Sequence, residues 1–212
     1  MLFLVFKVSF EQSLLPGVKY ATGYRDDGVT PIKGGHLLFP PLAAGGMGTP
    51  RGLAKILAHL ANKYSNKDAT SLISHKTSTL MLERGEDKGA LEFMGCLIGY
   101  GVFIAQAGEN KILLHQAAND GFRGIALVCF DGPAASKGPV GFVILCNGDN
   151  NGTRLLAHVS RFLLQNNAFG MKDGLDWSKV DNKLFEQDDL KQEEIVNKGL
   201  KELVLDAFIM PN

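Results

Sequence analysis

Two stretches near the middle of the chain, "FRGIALVCF" (122–130) and "VGFVILCN" (140–147), are almost continuously apolar. No other feature narrows the fold as much. A strand with one face in water alternates apolar and polar residues. Runs without alternation suit strands buried on both faces, so helices are expected on each side of the sheet. "DGPAASKGP", between the two runs, is rich in turn formers and returns the chain for pairing. Upstream, "GYGVFIAQ" and "KILLHQ" flank the short link "AGEN", which predicts a hairpin.

Helical patterns surround these strands. Thr49 can cap a helix, Pro50 suits its first position, and Leu53, Ile56, Leu57 and Leu60 share one face. A second helix is expected after Ser74, with Leu80 and Met81 inward and its end near Gly85. After "GDNNGT", a third carries Leu155, Leu156, Val159, Phe162 and Leu163 on one stripe. Residues 1–48 read mostly as loop, with turn signals at Pro16-Gly17, Asp27-Gly28, Gly34-Gly35 and Pro40-Pro41. The opening "MLFLVF" reads as a strand or a truncated beginning rather than a secretion signal. The tail is richer in charge, and Leu190, Val196, Leu200, Leu203, Val204 and Phe208 stand at near-helical spacing. Two regions are therefore expected: 1–170 as one domain portion and 171–212 as a charged amphipathic helical tail.

A formal net charge of zero argues against a nucleic-acid surface or a polybasic membrane patch. No apolar run approaches the roughly 20 residues of a spanning helix. Cys96, Cys129 and Cys146 form no CxxC and sit among apolar neighbours, which predicts free thiols and favours a cytoplasmic setting. The five histidines show no HxH or HExxH pattern, so neither a zinc site nor any other cofactor is expected.

Several chemical-looking strings have plainer readings. "GGMGTP" (45–50) matches neither common phosphate-loop pattern and reads as a tight turn into a helix. Asn151-Gly152-Thr153 spells a glycosylation sequon but suits a turn and cap. Tyr64-Ser65-Asn66 and Lys76-Thr77-Ser78 resemble the tyrosine-x-asparagine and lysine-threonine-glycine motifs of serine β-lactamases and penicillin-binding proteins. The first falls where a helix ends and the second where one begins. Both read as accidental, because such motifs must converge on one pocket and the third belongs on a strand.

Other residues carry a resemblance to that superfamily. "SFEQSLLPGVKYATGYRDDG" looks like the stretch following the family's second motif, and "FPPLAAGGMGTPRGLAKIL" is similar to its "PELAAAGLWTTPSDLARFL" type segment. "YGVFI", "LLHQAANDGFRG" and "GFVILCNGDNNGTRLLAHV" then resemble, in order, its terminal strands and final helix. The likeness spans about residues 9–166 and is nearest to class C β-lactamase-like hydrolases. It implies an α+β fold of β-lactamase/transpeptidase type, an antiparallel sheet flanked by helices, here without the N-terminal part that holds the nucleophile helix.

The resemblance also assigns a site. The family's third motif falls on His115-Gln116-Ala117, where the histidine acts electrostatically on the substrate. The backbone N–H just past it, that of Ala118, takes the oxyanion-hole role. A satisfied strand-end histidine is the plainer reading of His115, and the "NDGFRG" context favours the site. Ala117 stands where the family usually has glycine, and its methyl group crowds an edge that substrate approaches. No serine is followed three residues on by lysine, so the nucleophile and its base are missing. The expectation is a β-lactamase-related serine hydrolase represented by a fragment or pseudoenzyme, retaining a wall for a small-molecule or peptide-like substrate. The alternative is a non-catalytic interaction module on the same scaffold, with self-association through the C-terminal helix as one route.

Overall fold

The computed structural model of the protein describes residues 8–9, 16–32, 45–83, 92–93 and 96–170. The opening "MLFLVF", the expected helix end at Gly85 and the tail 171–212 lie outside these residues. Helix starts follow their local chemistry. Oγ1 of Thr49 accepts the N–H of Gly52 at 3.0 Å, and α1 (Pro50–Ser65) runs on from it. Ser74 caps α2 (His75–Leu82) by accepting the N–H of Thr77 at 3.0 Å. The two residues after "GG" pair before α1 begins: β1 (Val8–Ser9) and β2 (Met47–Gly48) form a short antiparallel ladder.

The main sheet has six strands, each beside its neighbour in sequence. They are β3 (Glu92–Phe93), β4 (Cys96–Ile98), β5 (Phe103–Ala107), β6 (Asn110–Asn119), β7 (Phe122–Asp131) and β8 (Val140–Cys146). Ladders β3–β4, β4–β5 and β5–β6 are antiparallel. The short connections of the two later pairs, far below the dozen residues a parallel crossover needs, make them antiparallel as well. α3 (Asn150–Gln165) closes the described chain. The result is an α+β fold built on an antiparallel sheet.

Residues 124–130 of β7 are buried without a break, as a strand covered on both faces must be. Burial on β8 is less complete and Leu145 is exposed, because β8 is the last strand of the sheet. Two helix faces depart from their sequence reading. Leu80 points to solvent, while Ser78 and Leu82, one turn apart, turn inward on α2. On α3, Leu156 and Phe162 are buried but Leu155 is exposed; His158, Ser160 and Leu164 are buried instead.

The chain divides into two compact units. One draws on Met1–Leu57, His115–Ala126 and Val143–Leu156, and its buried apolar residues include Ile32, Leu57, Ile125, Ala126 and Leu156. The other draws on Ala58–Leu114, Leu127–Phe142 and Ala157–Asn212. Within the latter, Ser78 Oγ donates to the Leu60 carbonyl at 2.6 Å, tying α2 to α1. Ser65 Oγ donates to the Phe130 carbonyl at 3.0 Å, and the Tyr64 ring meets that of Phe130 edge-on at 5.0 Å.

Candidate functional site

The hairpin that carries His115 is longer than its sequence suggests. "AANDG" reads as the loop, but β6 continues to Asn119 and β7 begins at Phe122, leaving only Asp120–Gly121 as the turn. Gly121 makes so tight a return possible, because its φ of 71° lies where other residues are strained. His115 therefore stands inside the strand rather than at its end. A Cβ added at Gly124 would lie 3.6 Å from the Cβ of Ala117. With "AANDG" as the loop, His115 would end its strand beside Phe122 and Arg123; the observed register sets it opposite Ala126 instead.

His115, Gln116, Ala117 and Ala118 are all exposed. The pairing of β5 with β6 runs from Ala107↔Asn110 to Phe103↔Leu114 and stops there. In an antiparallel ladder, successive residues turn their main-chain groups alternately to the two sides. Ala107 and Asn110 close a two-residue turn, so Asn110, Ile112 and Leu114 address β5. The same alternation turns the N–H and C=O groups of Gln116 and Ala118 toward that side. No strand among the described residues pairs with them there. Unpaired strand groups of this kind are a template for another extended chain.

A buried carboxylate braces the end of this hairpin. Asp149 lies just before α3 and is 9% exposed. Its Oδ1 accepts the N–H of Gly121 at 2.6 Å and lies 3.4 Å from Nη1 of Arg123. Its Oδ2 accepts from Nη1 of Arg25 at 3.3 Å, and the Arg25 Nη2 reaches Asp120 at 3.2 Å. Arg123 also donates to the carbonyls of Asn119 and Phe122, spanning the turn. The Gly121 N–H, and then the two guanidinium groups, hold the Asp149 carboxyl below the usual carboxylate range despite the opposing effect of desolvation. Asp26 accepts from the N–H of Asn151 at 3.1 Å, placing a second carboxylate at the start of α3. Sequence reading missed this cluster. The only local signal was an aspartate before the helix in "NGDNNG", and nothing announced a partner as distant as Arg25.

The two motif look-alikes are occupied structurally. Tyr64 and Ser65 form the end of α1, while Lys76, Thr77 and Ser78 lie in the first half of α2. Both serine hydroxyls donate to main-chain carbonyls, and Ser78 is fully buried. Tyr64 donates to Glu83 at 2.5 Å and accepts from Lys111 at 3.3 Å; Lys111 is also 3.1 Å from Asp131. Burial, followed by the Glu83 contact, pushes the Tyr64 hydroxyl up, the wrong direction for a general base. Cys96, Cys129 and Cys146 form no disulfide, and burial raises each thiol, which disfavours the reactive thiolate. Among the described residues, no group of three or more His, Cys, Asp or Glu side chains could hold a metal ion, and no helix is long and apolar enough to cross a membrane.

No protein-family model matches the chain, and no curated protein matches it.

Proposed function

We propose that the chain is the C-terminal portion of a β-lactamase-like domain and belongs with the β-lactamase-related serine hydrolases. On this reading it binds a small peptide-like ligand bearing a carboxylate, and does not acylate it. One observation carries the proposal: the β5–β6 ladder ends at Leu114, and among the described residues no strand pairs with the same edge of the segment that bears His115, Gln116, Ala117 and Ala118. An extended ligand adds to that edge through the main-chain groups of Gln116 and Ala118, which is strand addition. His115 hydrogen-bonds the ligand carboxylate. The Ala118 N–H addresses the ligand carbonyl, where in an intact hydrolase it would meet a developing oxyanion. The ordered likeness of "YGVFI", "LLHQAANDGFRG" and "GFVILCNGDNNGTRLLAHV" to the family's terminal strands and helix supports the assignment. The order of β5, β6, β7, β8 and α3 is compatible with it.

Titration of the isotope-labelled protein with an N-acylated D-alanyl dipeptide tests this. The amide signals of Gln116 and Ala118 should move with the His115 ring signals, saturably and reversibly. His115→Ala should weaken binding by about tenfold or more, the usual effect of losing a hydrogen bond to a charged group. Amide signals of residues 115–118 that stay in place at millimolar dipeptide would overturn the ligand assignment. If an extended peptide without a carboxylate shifts them instead, the edge serves a protein partner, and the chain is the non-catalytic module.

A further inference from the structure

We propose that Asp149 is a positioning residue for the open edge of β6, and that through Arg25 it couples the segment around Tyr24–Ile32 to that edge. Three elements meet on one carboxylate. The turn presents the Gly121 N–H at 2.6 Å, β7 presents Arg123 at 3.4 Å, and the upstream segment presents Arg25 at 3.3 Å. Arg25 reaches the turn a second time through Asp120. Arg123 grips the carbonyls on both sides of the turn, at Asn119 and Phe122. Ala118, whose N–H faces the open edge, is the residue before Asn119.

The cluster is more than a surface ion pair. The Asp149 and Arg123 side chains are 12% and 17% exposed, whereas Arg25 and Asp120 are each 47% exposed. The inner pair is shielded from solvent and salt, and the outer pair is screened. Gly121 is itself buried, so without Asp149 its N–H would lose its partner away from water. The upstream segment is tied in by its own bonds. The Tyr24 N–H donates to the Asn147 carbonyl at 3.2 Å, and the Ile32 N–H to the Gly23 carbonyl at 2.9 Å. A methyl at Gly121 would come within 3.0 Å of Gly23, so turn and segment are in close contact. Displacing Arg25 should therefore be felt at the turn, and a ligand ordering the β6 edge should be felt at Arg25.

The coupling has a pH signature. Arg25, Arg123 and the Gly121 N–H all favour the ionised carboxyl; Asp120 faces Arg25, and Asp26 stands at the neighbouring helix start. A carboxyl held below its unfolded value contributes stability above that value and loses it as pH falls through the folded one. The clasp should hold at neutral pH and open only in acid, below the ordinary carboxylate range. Removing Arg25 takes away one cause of the lowering, so opening should begin at a higher pH.

Hydrogen exchange of the ligand-free protein tests the clasp apart from ligand binding. Arg25→Ala, a change at a half-exposed side chain, should speed exchange of the Gly121 and Asn119 amides by about two- to fivefold, the range for a partly screened ion pair. Amides of β5 should be unaffected. The acid loss of Gly121 protection, corrected for the intrinsic rate, should shift to higher pH in this variant, and Arg25→Lys should restore part of it. Unchanged Gly121 and Asn119 exchange together with an unshifted acid transition would overturn the coupling. The role at the ligand edge rests on the function proposed above. Should the dipeptide fail to bind while exchange responds as described, that function falls and the clasp stands.

Discussion

Gly141 shows how single positions are settled by contacts that sequence does not display. A Cβ built there would sit 2.0 Å from the Leu127 carbonyl oxygen and 2.7 Å from the Val128 Cα, both backbone atoms of the neighbouring strand. Backbone cannot step aside as a flexible side chain can. Gly141→Ala should therefore cost about 1–3 kcal/mol, the usual range for overpacking. In a chain of this size that corresponds to a fall of very roughly 2–4 °C in melting temperature per kcal/mol. A thermal melt of the variant within 1 °C of the parent, a margin of about a quarter to a half kcal/mol, would show that β7 and β8 separate there more easily than this geometry implies. At this scale the sequence was legible where chemistry is local. Thr49 capping α1 needs only the next three residues. The inward turn of Ser78 and outward turn of Leu80 depend on where Leu60 offers its carbonyl, which no pattern in α2 reveals.

Elements were more legible than their ends. Apolar continuity located β7 and β8, and the turn-rich links located both hairpins. The boundary that matters for the site was misplaced, because "AANDG" carries several turn formers and reads as a loop. Only the positive φ of Gly121 lets β6 run on through Ala117, Ala118 and Asn119. The boundary matters to the function proposed above, since the longer strand is what runs past the last paired residue of β5. For α1 the local reading can be tested directly. Thr49→Ala removes the acceptor of the Gly52 N–H and should destabilise the protein by about 1 kcal/mol, whereas Thr49→Ser should be close to neutral. Urea midpoints of the two variants measure the difference. Equal midpoints for alanine and serine would mean that the helix start is held by packing alone.

For the whole molecule, the question is what its polar groups can do together. Covalent hydrolysis by a serine needs a hydroxyl beside a base that takes its proton. Among the described residues, Ser65 and Ser78 give their protons to main-chain carbonyls, Ser74 serves as a cap, and the Tyr64 hydroxyl is raised rather than lowered. The sequence had already excluded the family's pairing, since no serine precedes a lysine by three positions. On the function proposed above, the groups that bear on a ligand are an exposed histidine, main-chain donors at a strand edge and a braced turn. Such groups stabilise charge on a carbonyl that something else must attack. Incubating this chain with penicillin should leave its intact mass unchanged, and a chromogenic cephalosporin should hydrolyse no faster than in buffer. Reversible dipeptide binding at residues 115–118 should persist under the same conditions. A stoichiometric penicilloyl adduct on any serine would overturn the non-acylating reading and identify the nucleophile. An adduct that disappears on Arg25→Ala would further place that nucleophile under control of the Asp149 clasp.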